Sequence, residues 1–403
     1  MKTIKNLSWI FFANVFASFA KWLIVILIAK NLTATEVGIY SLAFAIGAPV
    51  TLFANMKLRS LYITSIEDNL YDYFYTRNIL SVAVFITLAI IGLVFYPDYF
   101  TVIMLVGLAK ILDLQSDLYY AVPHKYNNLN IIGKMIISKQ SILLVSFAIT
   151  LLLTRNLSAA LLVQVVLQAI YLILVERKYV FKNYQITKAK ATLQGIKGIL
   201  ILGVPLGFVQ MVFSLNSNYP RYVLEYFENP EVLGYFSAIM YIVIVANLFM
   251  SSISQVFLPK LSQLYRALKF SLFRKYVFIY LSMVSLFLGI SLISMSFLFG
   301  EKILMILYGP EYAEYSHILF LVAISVSINV ISWNFDTALM AMRYISIQPK
   351  ITSINLIITM IIGYVLISEQ GIVGASYTLI ISATLQLLMR VYFVHKRLNS
   401  KEI

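Results

Sequence analysis

Apolar residues recur along the chain in long windows, near 7–30, 37–56, 78–96, 99–121, 131–153, 157–175, 198–222, 232–257, 276–299, 315–342, 350–367 and 371–394. Most have the roughly 18 or more residues that an α-helix needs to cross about 30 Å of hydrocarbon. The pattern predicts an all-α polytopic membrane protein with twelve transmembrane helices. The seventh window is the most diluted, by Gly203, Pro205, Gly207, Asn216 and Asn218. The polar positions inside the windows are ordered rather than scattered. Asn14, Ser18 and Lys21 in the first, and Lys110, Asp113 and Asp117 in the fourth, each fall on one helical face.

The pattern also repeats. Glu36-Val37-Gly38-Ile39-Tyr40-Ser41 returns as Glu231-Val232-Leu233-Gly234-Tyr235-Phe236-Ser237, an offset of 196 residues from Gly38 to Gly234 with one residue inserted. At that offset Asn14, Ser18 and Lys21 fall on Gln210, Ser214 and Ser217. At offset 219, Lys110, Asp113 and Asp117 fall on Asn329, Ser332 and Asp336. The chain is predicted as two six-helix lobes, 1–176 and 198–403, joined by a basic linker, 177–197. An even number of spans per lobe inserts both the same way. Their pseudo-two-fold axis is then expected along the membrane normal, with a cavity between the lobes.

Charge sharpens this picture. One alternate set of loops carries Lys57, Arg59 and Arg77, Lys125 and Lys134, the linker's cations, then Lys260, Arg266, Lys269, Arg274 and Lys275, Arg343 and Lys350, and Lys396, Arg397 and Lys401. The other set is mostly acidic, with Glu36, Asp98, Glu225, Glu228, Glu231, Glu301, Glu311, Glu314 and Glu369. The positive-inside rule therefore places both termini in the cytoplasm. The net charge of +14 is a topology signal, not a nucleic-acid footprint. With 61% hydrophobic and 12% charged residues and a mean hydropathy of +0.87, the 403-residue chain is far from soluble composition. There is no cysteine, and His124, His317 and His395 lie far apart near span ends, so no cofactor or metal site is expected. Lys21 interrupts the first apolar run and no cleavage site follows it, which reads as an uncleaved span. No phosphate-binding loop, no HExxH and no Gly-x-x-x-Asp-Arg/Lys-x-Gly-Arg pattern of the major facilitator family occurs.

Charged groups within spans carry the candidate chemistry. A lysine at mid-membrane costs about 2.5–3.5 kcal/mol even on lenient insertion scales. Lys21 is therefore expected to face a wet cavity or a carboxylate, with a structural ion pair between helices as the alternative. Lys110 and Asp113 can pair with each other at i, i+3, or serve function. Asp117 has no cationic partner on its own helix, and Asp336 is flanked by Asn334 and Thr337. Asp113, Asp117 and Asp336 are thus candidates for coupling to an ion gradient. The stripe Gln210, Ser214, Ser217 and Arg221 starts near Gly203 and Pro205, which invite a bend. Arg221 offers a fork for phosphate or carboxylate, or anchors its helix at headgroups. Asn247, Ser251, Ser254 and Gln255 in the eighth window, and Gln164 and Gln168 in the sixth, are either ligand contacts or interhelical glue.

Four stretches carry a resemblance: TEVGIYSLAFAI at 35–46, SNYPRYVLEYFENPEVLGYFSAIMYI at 217–242, Leu307-Tyr308-Gly309-Pro310-Glu311-Tyr312, and Gly371-Ile372-Val373-Gly374-Ala375. In this order the chain resembles the polysaccharide or O-antigen flippases of Wzx type, within the multidrug/oligosaccharidyl-lipid/polysaccharide exporter superfamily. Where that family often has an Asp before the arginine, this chain has Pro220 before Arg221. The resemblance implies translocation of an undecaprenyl-diphosphate-linked oligosaccharide across the bacterial inner membrane by alternating access. The product would be O-antigen of lipopolysaccharide or another surface polysaccharide. The implied partners are this lipid-linked substrate, membrane lipids, and a polymerase with chain-length machinery. Lys21, Arg221 and Lys110 suit the diphosphate, while Asn14, Ser18, Gln210, Ser214 and Asn247 suit sugar hydroxyls. A cation-coupled multidrug exporter of the same superfamily is the alternative, though Lys21 and Gln210 stand where such exporters place carboxylates. A membrane-embedded glycan polymerase is a third, opposed by the short outer loops.

Overall fold

The computed structural model describes residues 2–402 apart from 66–68, 185 and 187–189, with side chains outside 2–8, 242–256 and 400–402. Long helices follow one another in the predicted order. They are α1 Lys2–Asn31, α2 Ala34–Asn55, α3 Leu70–Phe95, α4 Phe100–Lys125, α5 Leu129–Thr154 and α6 Leu157–Asn183, then α7 Leu193–Phe227, α8 Pro230–Arg266, α9 Phe270–Leu307 and α10 Ser316–Ala341. The last helical stretch, Gln348–Glu402, is two helices, α11 (348–370) and α12 (372–402), separated by non-helical Gly371 at φ 52° and ψ −126°. Asn355 and Ser382 are hydrogen bonded at 2.8 Å, whereas a straight helix would hold them about 40 Å apart. The chain therefore doubles back at Gly371, in a conformation that a side chain would strain. Among the described residues, ten stretches are long and apolar enough to cross a membrane; α8, 37 residues long, includes 242–256.

The repeated string marks the same structural event twice, the first turn of a helix. Thr33 accepts from the Glu36 amide at 3.4 Å to open α2. Asn229 accepts from the Val232 amide at 2.9 Å to open α8, with Pro230 in the first turn. Asn156 does the same for α6 through Ala159. The helices also run further than their apolar windows, because caps and basic ends carry them beyond the hydrocarbon. α7 stays helical through Gly203, Pro205 and Pro220.

Contacts divide the chain into two compact units, Met1–Ser214 and Leu215–Ile403. In the first, α4 is the hub, packed on α2, α3 and α6, while α1 lies along α5. In the second, α10 is the hub, packed on α8, α9 and the α11–α12 hairpin. The two hubs are the helices that carry the offset-219 echo. The hubs can be polar because they face protein, whereas α3 turns Val82, Phe85, Ile86, Ile90, Leu93 and Val94 outward to lipid.

Arg77, fully buried, joins α3 to the end of α2. Its Nη1 donates to the Ala54 carbonyl at 2.8 Å and its Nη2 to that of Asn55 at 3.2 Å. These are carbonyls that a helix C-terminus leaves unpaired.

Candidate functional site

Charge gathers midway along α4 in the first unit. Asp113 lies on the hub α4, about 18 Å along the helix from its basic end. Lys139 of α5 donates to its Oδ1 at 3.2 Å, and Lys21 of α1 stands 3.9 Å from its Oδ2. Gln168 of α6 donates to the same Oδ1 at 2.9 Å and to the Ala109 carbonyl at 3.0 Å. Lys139 also reaches Ser116 at 3.1 Å and Glu176 at 3.7 Å, and Tyr120 donates to Glu176. Glu176 lies in a π-helical stretch of α6, Leu172–Arg177. The wide turn shifts the helical face and aims the carboxylate inward, completely buried.

Lys110 takes a different partner. Its ammonium lies 3.4 Å from the centre of the Phe44 ring on α2, a cation–π contact, and its stem packs on Gly47. A β-carbon at Gly47 would sit 3.0 Å from that stem. The i, i+3 pairing considered for Lys110 and Asp113 is thus replaced by interhelical partners, because the aspartate faces α1, α5 and α6.

Lys21, Lys110 and Asp113 line one cavity of about 50 Å³ with Gln140, Gln164, Gln168, Tyr40 and Phe44. It has room for a few waters and none for a saccharide. Three lysines against two carboxylates leave one formal positive charge in excess. The exposure is uneven: the side chains of Lys21 and Asp113 are 45% and 40% exposed, those of Lys139 and Glu176 4% and 0%. The outer pair is open to exchange of partners and the inner pair is fixed.

The remaining predicted residues lie elsewhere. Asn14 is exposed and Ser18 half-buried on α1, and neither lines this cavity. Gln210 donates weakly to the Leu52 carbonyl at 3.4 Å, and Ser214 is buried. Asp117 is paired at 3.2 Å with Arg59 from the short helix Leu58–Thr64. Arg59 also donates to His124 Nδ1. In the second unit Asp336 is paired at 3.3 Å with Arg390 of α12, which donates to Ser332 at 2.8 Å. Arg221 donates to Asn218 at 2.7 Å, and its buried Nε has no hydrogen-bond partner among the described residues. Asn247, Ser251, Ser254 and Gln255 lie outside the described side chains.

Sequence reasoning missed Lys139, Gln140, Glu176, Arg59 and Arg390. The signal was there for Lys139-Gln140, a polar pair two turns inside an apolar run. A lysine at that depth also reads as snorkelling to the headgroups.

A family model described as "Polysaccharide biosynthesis protein" matches residues 3–265. The capsular polysaccharide biosynthesis protein CapF of Staphylococcus aureus is 32% identical over 400 residues, covering 98% of this chain and all of the relative. Among solved structures, the lipid II flippase MurJ in an inward closed conformation aligns with a TM-score of 0.79 at 13% identity, over 95% of this chain and 87% of that one. An inward-facing multidrug resistance MATE family transporter of the MOP superfamily aligns with a TM-score of 0.67 at 11% identity, over 99% of this chain and 95% of the other. These two likenesses establish the transporter fold. With more than half of its length matched by the family model and a full-length relative at 32% identity, the chain belongs to the polysaccharide biosynthesis protein family.

Proposed function

We propose that this protein is a flippase for a lipid-linked oligosaccharide, acting in transport and not in catalysis. Its cargo is an undecaprenyl-diphosphate-linked repeat unit, moved from the inner to the outer leaflet of the cytoplasmic membrane for surface polysaccharide synthesis. The name of the full-length relative favours a capsule over O-antigen. The observation that carries the reading is the lysine cluster among the apolar helices of the first unit, with one positive charge in excess and flanked by three glutamines.

In this scheme the cavity, too small for a saccharide as it stands, widens as access alternates. The diphosphate then competes with Asp113 for Lys21 and is held by Lys110, while glutamine amides meet sugar hydroxyls. Arg221, Asn14, Ser18, Gln210, Ser214 and Asn247 are proposed as further contacts as the lobes 1–176 and 198–403 alternate in access. The basic loops and termini face the cytoplasm. Asp113, Asp117 and Asp336 are the proposed coupling carboxylates. A polymerase and its chain-length machinery would receive the product outside.

Deleting the gene tests this. Surface glycan should disappear while lipid-linked repeat units accumulate on the cytoplasmic leaflet. Normal glycan in the deletion strain, or dye efflux that follows the gene while glycan display does not, would refute the flippase reading. Lys21→Ala and Lys110→Ala should insert normally and fail to restore glycan; full complementation by both would remove the lysines from the site.

A further inference from the structure

The second unit has an open cavity of about 490 Å³ at its basic end. Its lining is Ser271, Arg274, Lys275, Phe278 and Ile279 from the start of α9 and His395 from α12. The five α9 residues are spaced i, i+3, i+4, i+7 and i+8, so they form one face of that helix. Along this face the chemistry changes within two turns, from hydroxyl and cations to Phe278 and Ile279, which are 36% and 47% exposed. Such a change marks where the helix passes from headgroups into hydrocarbon.

The cavity is built, not incidental. Arg274 is braced by Asn399 at 2.6 Å, and Asn399 by His395 at 3.0 Å, which ties α12 to the start of α9. Behind the face, Phe273, Val277 and Leu281 anchor the helix in the apolar core with Phe335, Leu339, Val394 and Leu398. A π-helical stretch begins at Lys275 and runs to Leu281, and wide turns of this kind recur at binding sites. Among the described residues the lining offers the cations Arg274 and Lys275 above Phe278 and Ile279, so its complement is an anion with an apolar tail below it.

We infer that this cavity binds the phosphate headgroup of an anionic glycerophospholipid, with an acyl chain descending along Phe278 and Ile279. Basic pockets between helices at a membrane surface take such headgroups through charge and hydrogen bonds. The site stands on the second unit alone and does not depend on the flippase reading.

Purified full-length protein incubated with phosphatidylglycerol in mixed micelles tests it, with retained lipid counted by native mass spectrometry. The expected result is retention of phosphatidylglycerol over phosphatidylcholine. Apparent affinity should fall roughly 30-fold in the double variant Arg274→Gln/Lys275→Gln, and Lys275→Arg should keep it. The melting transition in neutral detergent shows whether the double variant remains folded. If it does not, Lys275→Gln alone should still weaken binding roughly five-fold. Equal retention of the zwitterionic lipid, unchanged binding in the glutamine variants, or displacement of the lipid by inorganic phosphate alone would overturn the assignment.

Discussion

Lys139→Met tests the electrostatic core of the first unit. Methionine keeps the length of the stem and its fit to a helix, and removes only the ammonium. Asp113 then retains Lys21 and Gln168, so its share of the cost is small. Glu176 is the group left stranded. It is completely buried, and among the described residues its Oε2 has no hydrogen-bond partner and Tyr120 would be its one remaining donor. Stranding one charge of a buried pair costs about 3–5 kcal/mol. Glutamine at 176 removes the stranded charge and still accepts from Tyr120. Lys139→Met/Glu176→Gln should therefore recover to within about 1–2 kcal/mol of the parent, since neutral replacements of buried pairs are tolerated. Reversible unfolding in mixed micelles, measured for the parent, both single variants and the double, gives the coupling energy directly. A cost below about 1 kcal/mol for Lys139→Met, or a double variant equal to the sum of its singles, would refute this account.

Two further predictions concern the scaffold. Gly374→Ala would set a β-carbon 1.9 Å from the Leu366 carbonyl oxygen across the α11–α12 hairpin. Backbone there cannot yield as a side chain would, so a loss of about 3 kcal/mol is expected. Gly198→Ala, which meets nothing within 4 Å on α7, should be neutral or stabilising by up to about 1 kcal/mol, and melting temperatures of the pair decide it. Arg77→Met should cost about 2 kcal/mol, because two carbonyls at the end of α2 lose charged donors while one buried guanidinium is relieved. Faster amide exchange confined to the last turn of α2 and the helix after it would confirm the mechanism, and uniform exchange would contradict it.

The helices were legible because membrane length is written directly as apolar run length. Gly371 and Gly374 could be seen to open the last span, but the reversal that needs them could not, since it is a fact about two helices. The hub helices left a local signature: α4 carries Lys110, Asp113 and Asp117, more charge than lipid would tolerate. Partners were illegible for a different reason. Sequence spacing describes one helix, and each decisive pair joins two: Asp113 with Lys139, Asp117 with Arg59, Asp336 with Arg390. Lys139 and Arg390 each lie close enough to a basic end that snorkelling explained them cheaply. Only the packing of α5 on α6 and of α12 on α10 turns them inward.

The internal repeat separates the three proposed coupling carboxylates. Asp117 and Asp336 occupy matching positions on the two hubs, and each is closed by an arginine at 3.2 or 3.3 Å. The arginines come from unrelated places, one from the short helix after α2 and the other from α12. The two carboxylates share a position in the repeat and not a partner. What both halves share is the requirement that a carboxylate at that depth be neutralised. Neutralisation accounts for both pairs without any role in transport. Asp113 is different, because its repeat-related position is Ser332 and its charge is peculiar to the first half. It faces two lysines at unequal distance, 3.2 Å to the fixed one and 3.9 Å to the exposed one. On the proposed reading an incoming diphosphate can take Lys21 and leave Asp113 held by Lys139, with no buried charge stranded. That exchange requires the asymmetry between the halves, and it makes Asp113 the first carboxylate to replace, by asparagine, when testing for coupling.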